Sequence, residues 1–165
     1  MDQTPIIKRC VAEFIGTFFL VLTVGCTVIP GSAGVIPPLA IGAALMVMVY
    51  AGGHVCGAHF NPAVTLAIFI RGWSPAKDLI AYWATQIIAG AVAALVAVFL
   101  VGKEGVPMEI KNVPAAFVAE FLFTFALAYV VLNCATAKKT SKLVLRLSDL
   151  HDSPAHRPPA RSATR

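Results

Sequence analysis

Charge is what this chain has least of. Asp, Glu, Lys and Arg make up 13% of its 165 residues, whereas 58% are hydrophobic and the mean hydropathy is +0.80. A soluble domain of this length carries about 25% charged residues. The deficit excludes a soluble interaction module and predicts an integral membrane protein. The four cysteines, Cys10, Cys26, Cys56 and Cys134, form no CxxC pair. Three lie in or beside apolar segments, where free cysteine behaves as a small hydrophobe, so no disulfide framework is expected. No nucleotide-binding motif or cofactor box occurs, so neither an enzyme nor a cofactor is expected. The net charge of +5 sits at segment ends and in the tail. That placement suits membrane orientation and not a nucleic-acid patch.

Four apolar segments follow one another: Val11 to Ile29, Pro38 to Ala51, Lys77 to Val101 and Ala115 to Ala137. The second is short for a span, which needs about 20 residues. Lys8 and Arg9 before an apolar run resemble a signal peptide, and Thr23-Val-Gly-Cys26 resembles a lipoprotein box. The run is long for a signal and more spans follow, so it reads as a retained first span. Lys8, Arg9, Arg71, Lys77, Lys138, Lys139, Lys142 and Arg146 fall on one side, with Lys103 and Lys111 on the other. The positive-inside rule then places both termini in the cytoplasm of a multi-pass plasma (inner) membrane protein. Residues 141–150 read as a short amphipathic helix, and 151–165, rich in Pro, Ala, Arg and Ser, as disordered.

Between the second and third spans lies Gly52-Gly53-His54-Val55-Cys56-Gly57-Ala58-His59-Phe60-Asn61-Pro62-Ala63-Val64-Thr65. Two histidines, three glycines and an Asn-Pro pair argue against a plain membrane helix there. The stretch reads as an irregular loop from Gly53 that turns into a half-helix at Asn61 and runs to about Ile70. Asn61 suits the cap and Pro62 the first helical position. Irregular backbone at membrane depth is tolerated only where protein buries it or where it lines a wet cavity. The loop is therefore a pore candidate, beside the plainer reading of an ordinary helix cap. His54-x-Cys56-x-x-His59 has metal-ligand character, but a fourth ligand is not evident and no metal is expected.

Ala12-Glu13-Phe14-Ile15-Gly16-Thr17-Phe18 recurs as Ala119-Glu120-Phe121-Leu122-Phe123-Thr124-Phe125, 107 residues later (119 − 12). The fourth span thus begins a second copy, inverted because three crossings separate the two. Inverted repeats that meet at a midplane site recur in transport proteins. With Gly53-His54, Gly57-Ala58-His59, Asn61-Pro62-Ala63 and Gln86, these motifs resemble the aquaporin (major intrinsic protein) family over about residues 8–138. The resemblance implies an all-α, aquaporin-like bundle: four transmembrane helices, one re-entrant half-helix and an incomplete second repeat. Repeat one spans about 8–101, and repeat two begins at about 115–137. Residues 139–165 diverge from the family and have the look of a truncated or frame-shifted ending.

The resemblance also implies roles. Backbone carbonyls of about Gly57 to Phe60 would line a pore, His54 and His59 would shape the loop, and Asn61, Pro62 and Ala63 would form the signature half-helix start. Glu13 would brace this loop, and Glu120 a loop not found in the sequence. Ile41, 20 residues before Asn61, would be one wall of the selectivity filter; a lipid- or core-facing isoleucine is the alternative. Cys56 stands near the pore and suggests mercury sensitivity. The implied partners are the lipid bilayer, water or a small neutral solute, and further copies in a homo-oligomer, a tetramer in the family. The implied function is a passive channel. A truncated, non-conducting or partner-dependent protein and a glycerol-type facilitator are the alternatives.

Overall fold

The structure, a computed structural model, describes residues 4–31, 34–102 and 110–136. The proposed helix at 141–150 and the tail at 151–165 lie outside them, as do residues 103–109. Five helices follow in order: α1 (Ile6–Val28), α2 (Pro37–Cys56), α3 (Pro62–Ile70), α4 (Ala76–Val101) and α5 (Val113–Thr136). All but α3 are long and apolar enough to cross a membrane. No strand occurs among the described residues.

Local chemistry sets the helix ends. Pro37 and Pro38 occupy the first turn of α2, where no intrahelical N–H is needed. Gly102 ends α4 in a left-handed conformation, with φ of 65°. Helix α1 starts five residues earlier than the apolar run suggests, because Pro5 opens the first turn and its carbonyl accepts from Arg9 N–H at 3.2 Å.

One boundary corrects the expectation from sequence. The irregular segment does not begin at Gly53: α2 continues through Gly52, Gly53 and His54 to Cys56, and stops at left-handed Gly57 (φ 85°). The two glycines do not break this helix. They thin one side of it. A Cβ at Gly52 would lie 3.6 Å from the Phe60 ring, and one at Gly53 would lie 3.5 Å from the Ala58 Cβ. The loop backbone folds back onto that thinned face.

Helix α1 packs against α2 and α4, and α3 packs against α4. The α1–α4 contact uses small residues. Ala89, Ala93 and Ala97 are fully buried, and Gly25 meets Ala97 so closely that no side chain would fit there. Small residues allow the close backbone approach that gives dispersion contact in lipid. Arg9 Nη1 binds Asp78 Oδ2 at 2.7 Å, tying the N-terminal end of α1 to that of α4. Helix α3 ends at Ile70, next to the start of α4, so it returns to the same end. The Gly57–Asn61 segment contacts α1 at Glu13, which accepts from His59 N–H, and α4 at Tyr82, whose ring meets that of His59. At about 1.5 Å per residue these lie roughly 10 Å and roughly 9 Å inside their helices. The segment therefore lies within the thickness of the bundle.

The described residues up to Ala128 form one compact unit. The portion of α5 inside it buries no residue. The second unit, 129–165, is described only over its helical residues, where Asn133 Nδ2 donates to the Tyr129 carbonyl at 2.7 Å.

Candidate functional site

The loop is held by one carboxylate. Glu13, with no exposed surface, accepts from His59 N–H at 3.3 Å, from Phe60 N–H and from Gln86 Nε2 at 2.8 Å. Gln86 Nε2 also donates to Thr65 Oγ1 at 2.9 Å. Thr65 Oγ1 donates to the Asn61 carbonyl at 3.0 Å and lies 3.2 Å from His59 Nδ1. The network thus joins α1, α3, α4 and the loop. Buried polar groups of this kind specify one arrangement when they are paired, and cost several kcal/mol when they are not.

The carboxylate holds a backbone that resists its own conformation. Ala58 (φ 52°) and Phe60 (φ 47°) are both left-handed. Each such non-glycine residue costs of order 1–3 kcal/mol, and persists only where its surroundings over-determine it. Phe60 contributes the second constraint. Its ring packs directly on Gly16, leaving no room for a Cβ there.

The result is a row of acceptors. The Cys56 carbonyl is taken by Tyr82 Oη at 2.7 Å, and the Asn61 carbonyl by Thr65 N–H and Oγ1. Between them, no described donor reaches the carbonyls of Gly57, Ala58, His59 or Phe60. Backbone carbonyls are strong acceptors that need a partner, and water is the available one. At the end of the row, Asn61 Oδ1 caps α3, accepting from Ala63 N–H at 2.7 Å and Val64 N–H at 3.4 Å. Its amide NH₂ is left to donate elsewhere. The N-terminus of α3, the positive end of its dipole, points at the same place.

The family model for the major intrinsic protein family matches residues 1–147. This chain belongs to the major intrinsic protein family. It is similar to Aquaporin NIP1-2 of Arabidopsis thaliana, 35% identical over 152 residues, covering 81% of this chain and 51% of that protein. Aquaporin NIP1-1 of Oryza sativa subsp. japonica is 40% identical over 148 residues, covering 81% of this chain and 51% of that protein. Aquaporin Z of Brucella melitensis is 41% identical over 111 residues, covering 60% and 47%. The chain spans about half the length of the curated relatives it matches. The family is one of membrane channels, not enzymes, and the chain is a multi-pass membrane protein.

Several residues singled out in this major intrinsic protein come together, and others do not. Glu13, Gly57, Ala58, His59, Phe60 and Asn61 form one site. Pro62 and Ala63 begin α3, with Pro62 exposed. His54 lies apart: it is exposed on the last turn of α2 and not in the loop, because the helix continues past it. Ile41 sits in the second turn of α2, half-buried. Glu120 is exposed on α5, where Thr124 Oγ1 approaches it at 3.5 Å. Cys56, expected near the pore, is fully buried. Its thiol faces protein, donating to the Gly52 carbonyl and accepting from Ala58 N–H. No cluster of three or more metal-ligating side chains occurs among the described residues.

Sequence reading missed Thr65, Tyr82 and Trp83. Trp83 Nε1 donates to the Pro62 carbonyl at 2.9 Å, anchoring the first turn of α3. One signal was present: Asp78, Tyr82 and Gln86 recur every fourth residue on an otherwise apolar helix, and all three are buried. Such a polar stripe faces protein, not lipid.

Proposed function

We propose that this chain is a passive membrane channel of the aquaporin type, conducting water or a small neutral solute past the Gly57–Asn61 loop. The observation that carries this reading is the run of four unpartnered carbonyls bounded by two partnered ones. A single file of water needs consecutive acceptors, and these carbonyls provide them. The Asn61 amide adds a donor, and the dipole of α3 disfavours cations at the same point. The names of the similar plant and bacterial proteins support the same reading. A glycerol-type facilitator differs only in solute. The proposed location is the plasma (inner) membrane, with both termini cytoplasmic and several copies assembled, as a tetramer in the family.

A second reading is a subunit that conducts only with a partner. It is favoured by α5, a span in which no described residue is buried and whose Glu120 lies exposed. A carboxylate facing hydrocarbon is costly and calls for a donor. Osmotic shrinkage of proteoliposomes holding the 165-residue chain, compared with empty vesicles, separates the two. Channel function gives a rise in water permeability with low activation energy, altered by Asn61→Asp and by Ile41→Trp. Background flux in the wild type and both variants, despite insertion, favours the partner-dependent reading.

A further inference from the structure

The row of free carbonyls has a beginning, and a side chain from another helix makes it. Cys56 is the last residue of α2, so its carbonyl is one of the acceptors a helix C-terminus leaves open. Tyr82 Oη donates to it at 2.7 Å, in a buried position, across 26 residues of sequence. The same phenol ring meets the His59 ring edge-on, with centroids 4.8 Å apart and planes at 64°. The Cys56 thiol closes the other side of the junction. Its sulfur accepts from Ala58 N–H at 3.3 Å and donates to the Gly52 carbonyl at 3.4 Å. Cys56, Ala58, Phe60 and Tyr82 make up the buried core of this region.

We infer that Tyr82 is a positioning residue, whose hydroxyl latches the end of α2 to α4 and thereby fixes Gly57 as the first carbonyl open to permeating solute. This assignment rests on the loop being the conduit. Without the hydroxyl, the Cys56 carbonyl loses its donor and joins the acceptors seeking water. The turn at Gly57 and Ala58 then loses a fixed point on α4. Glu13 still holds His59 and Phe60, so the disturbance is confined to the start of the loop. The Cys56 thiol, sealed by that turn, becomes accessible.

The test uses the full chain in proteoliposomes with Cys10, Cys26 and Cys134 replaced by Ala, leaving Cys56 as the one thiol. Two quantities are read: the rate of Cys56 modification by a small methanethiosulfonate reagent, and osmotic water permeability. Position 82 carries Tyr, Phe, 4-fluorophenylalanine (which fills the hydroxyl volume without donating) or 4-aminophenylalanine (which restores a donor). Tyr82→Phe and the fluoro variant are expected to label about tenfold faster than Tyr, the loss of one buried hydrogen bond. Both are expected to conduct several-fold less, and the amino variant is expected to restore both readouts. If Tyr82→Phe fails to insert, the fluoro and amino pair makes the same comparison. Equal labelling with and without a donor overturns the latch. Donor-dependent labelling in vesicles that never exceed background flux supports the latch and overturns the channel reading.

Discussion

Helices α1 and α5 carry related seven-residue motifs, identical at five positions, in different surroundings. In α1, Glu13 is fully buried and accepts from three donors. In α5, its counterpart Glu120 is exposed and, among the described residues, meets only Thr124, one turn along the same helix. The motifs differ at one telling place. Gly16, which admits the Phe60 ring, corresponds to Phe123 (16 + 107), which is 78% exposed. An Ala-Glu-Phe motif therefore does not make a brace by itself. The brace needs a loop that delivers N–H groups, and a gap in the helix surface that lets the loop approach.

Four single substitutions, one of them also combined with a second change, test that contrast. The largest effect is expected from Glu13→Ala, which leaves two loop N–H groups and the Gln86 amide without their acceptor. Each stranded buried donor costs about 1–3 kcal/mol, so the loss is expected to exceed about 3 kcal/mol in reversible unfolding from detergent micelles. Gly16→Val comes next. Its branched side chain overlaps the Phe60 ring, and overpacking of this kind costs about 1–3 kcal/mol. Phe60→Ala in the same chain is expected to recover part of that loss by removing the clash. Asn61→Asp keeps the cap oxygen but replaces the amide donor with negative charge. Its stability is expected to change by less than about 1 kcal/mol, while stopped-flow light scattering shows a several-fold fall in any water flux. Glu120→Ala closes the series: it strands no loop N–H group and removes a carboxylate from an apolar span, so stability is expected to be unchanged or raised. Equal destabilisation by Glu13→Ala and Glu120→Ala would erase the distinction between the two helices.

What could be read from sequence follows from where its signals reside. The spans were legible because apolar runs of membrane length have few other uses. The start of α3 was legible because Asn61 and Pro62 act locally, on N–H groups two and three residues away. The start of the loop was misplaced because Gly52 and Gly53 suggest a break in a soluble helix, whereas between packed spans they provide close approach. Tyr82 and Trp83 stayed hidden for another reason. Their partners are the carbonyls of Cys56 and Pro62, and a backbone acceptor leaves no mark on residue identity. The burial of Cys56 was not legible, because sequence position alone does not tell which side of a turn faces the packed protein.

The left-handed backbone at Ala58 and Phe60 bears on how the protein is made. A ribosome delivers the loop before the α4 residues that help to hold it. Asn61 emerges 25 residues ahead of Gln86 (86 − 61) and 21 ahead of Tyr82 (82 − 61). Glu13 is already in place, but its partner on α4 and the phenol that holds α2 are not. The contacts of this segment with α4 can therefore form only after the first half of α4 has been made. In the order of synthesis, the region's network is completed by α4 and not by the loop itself.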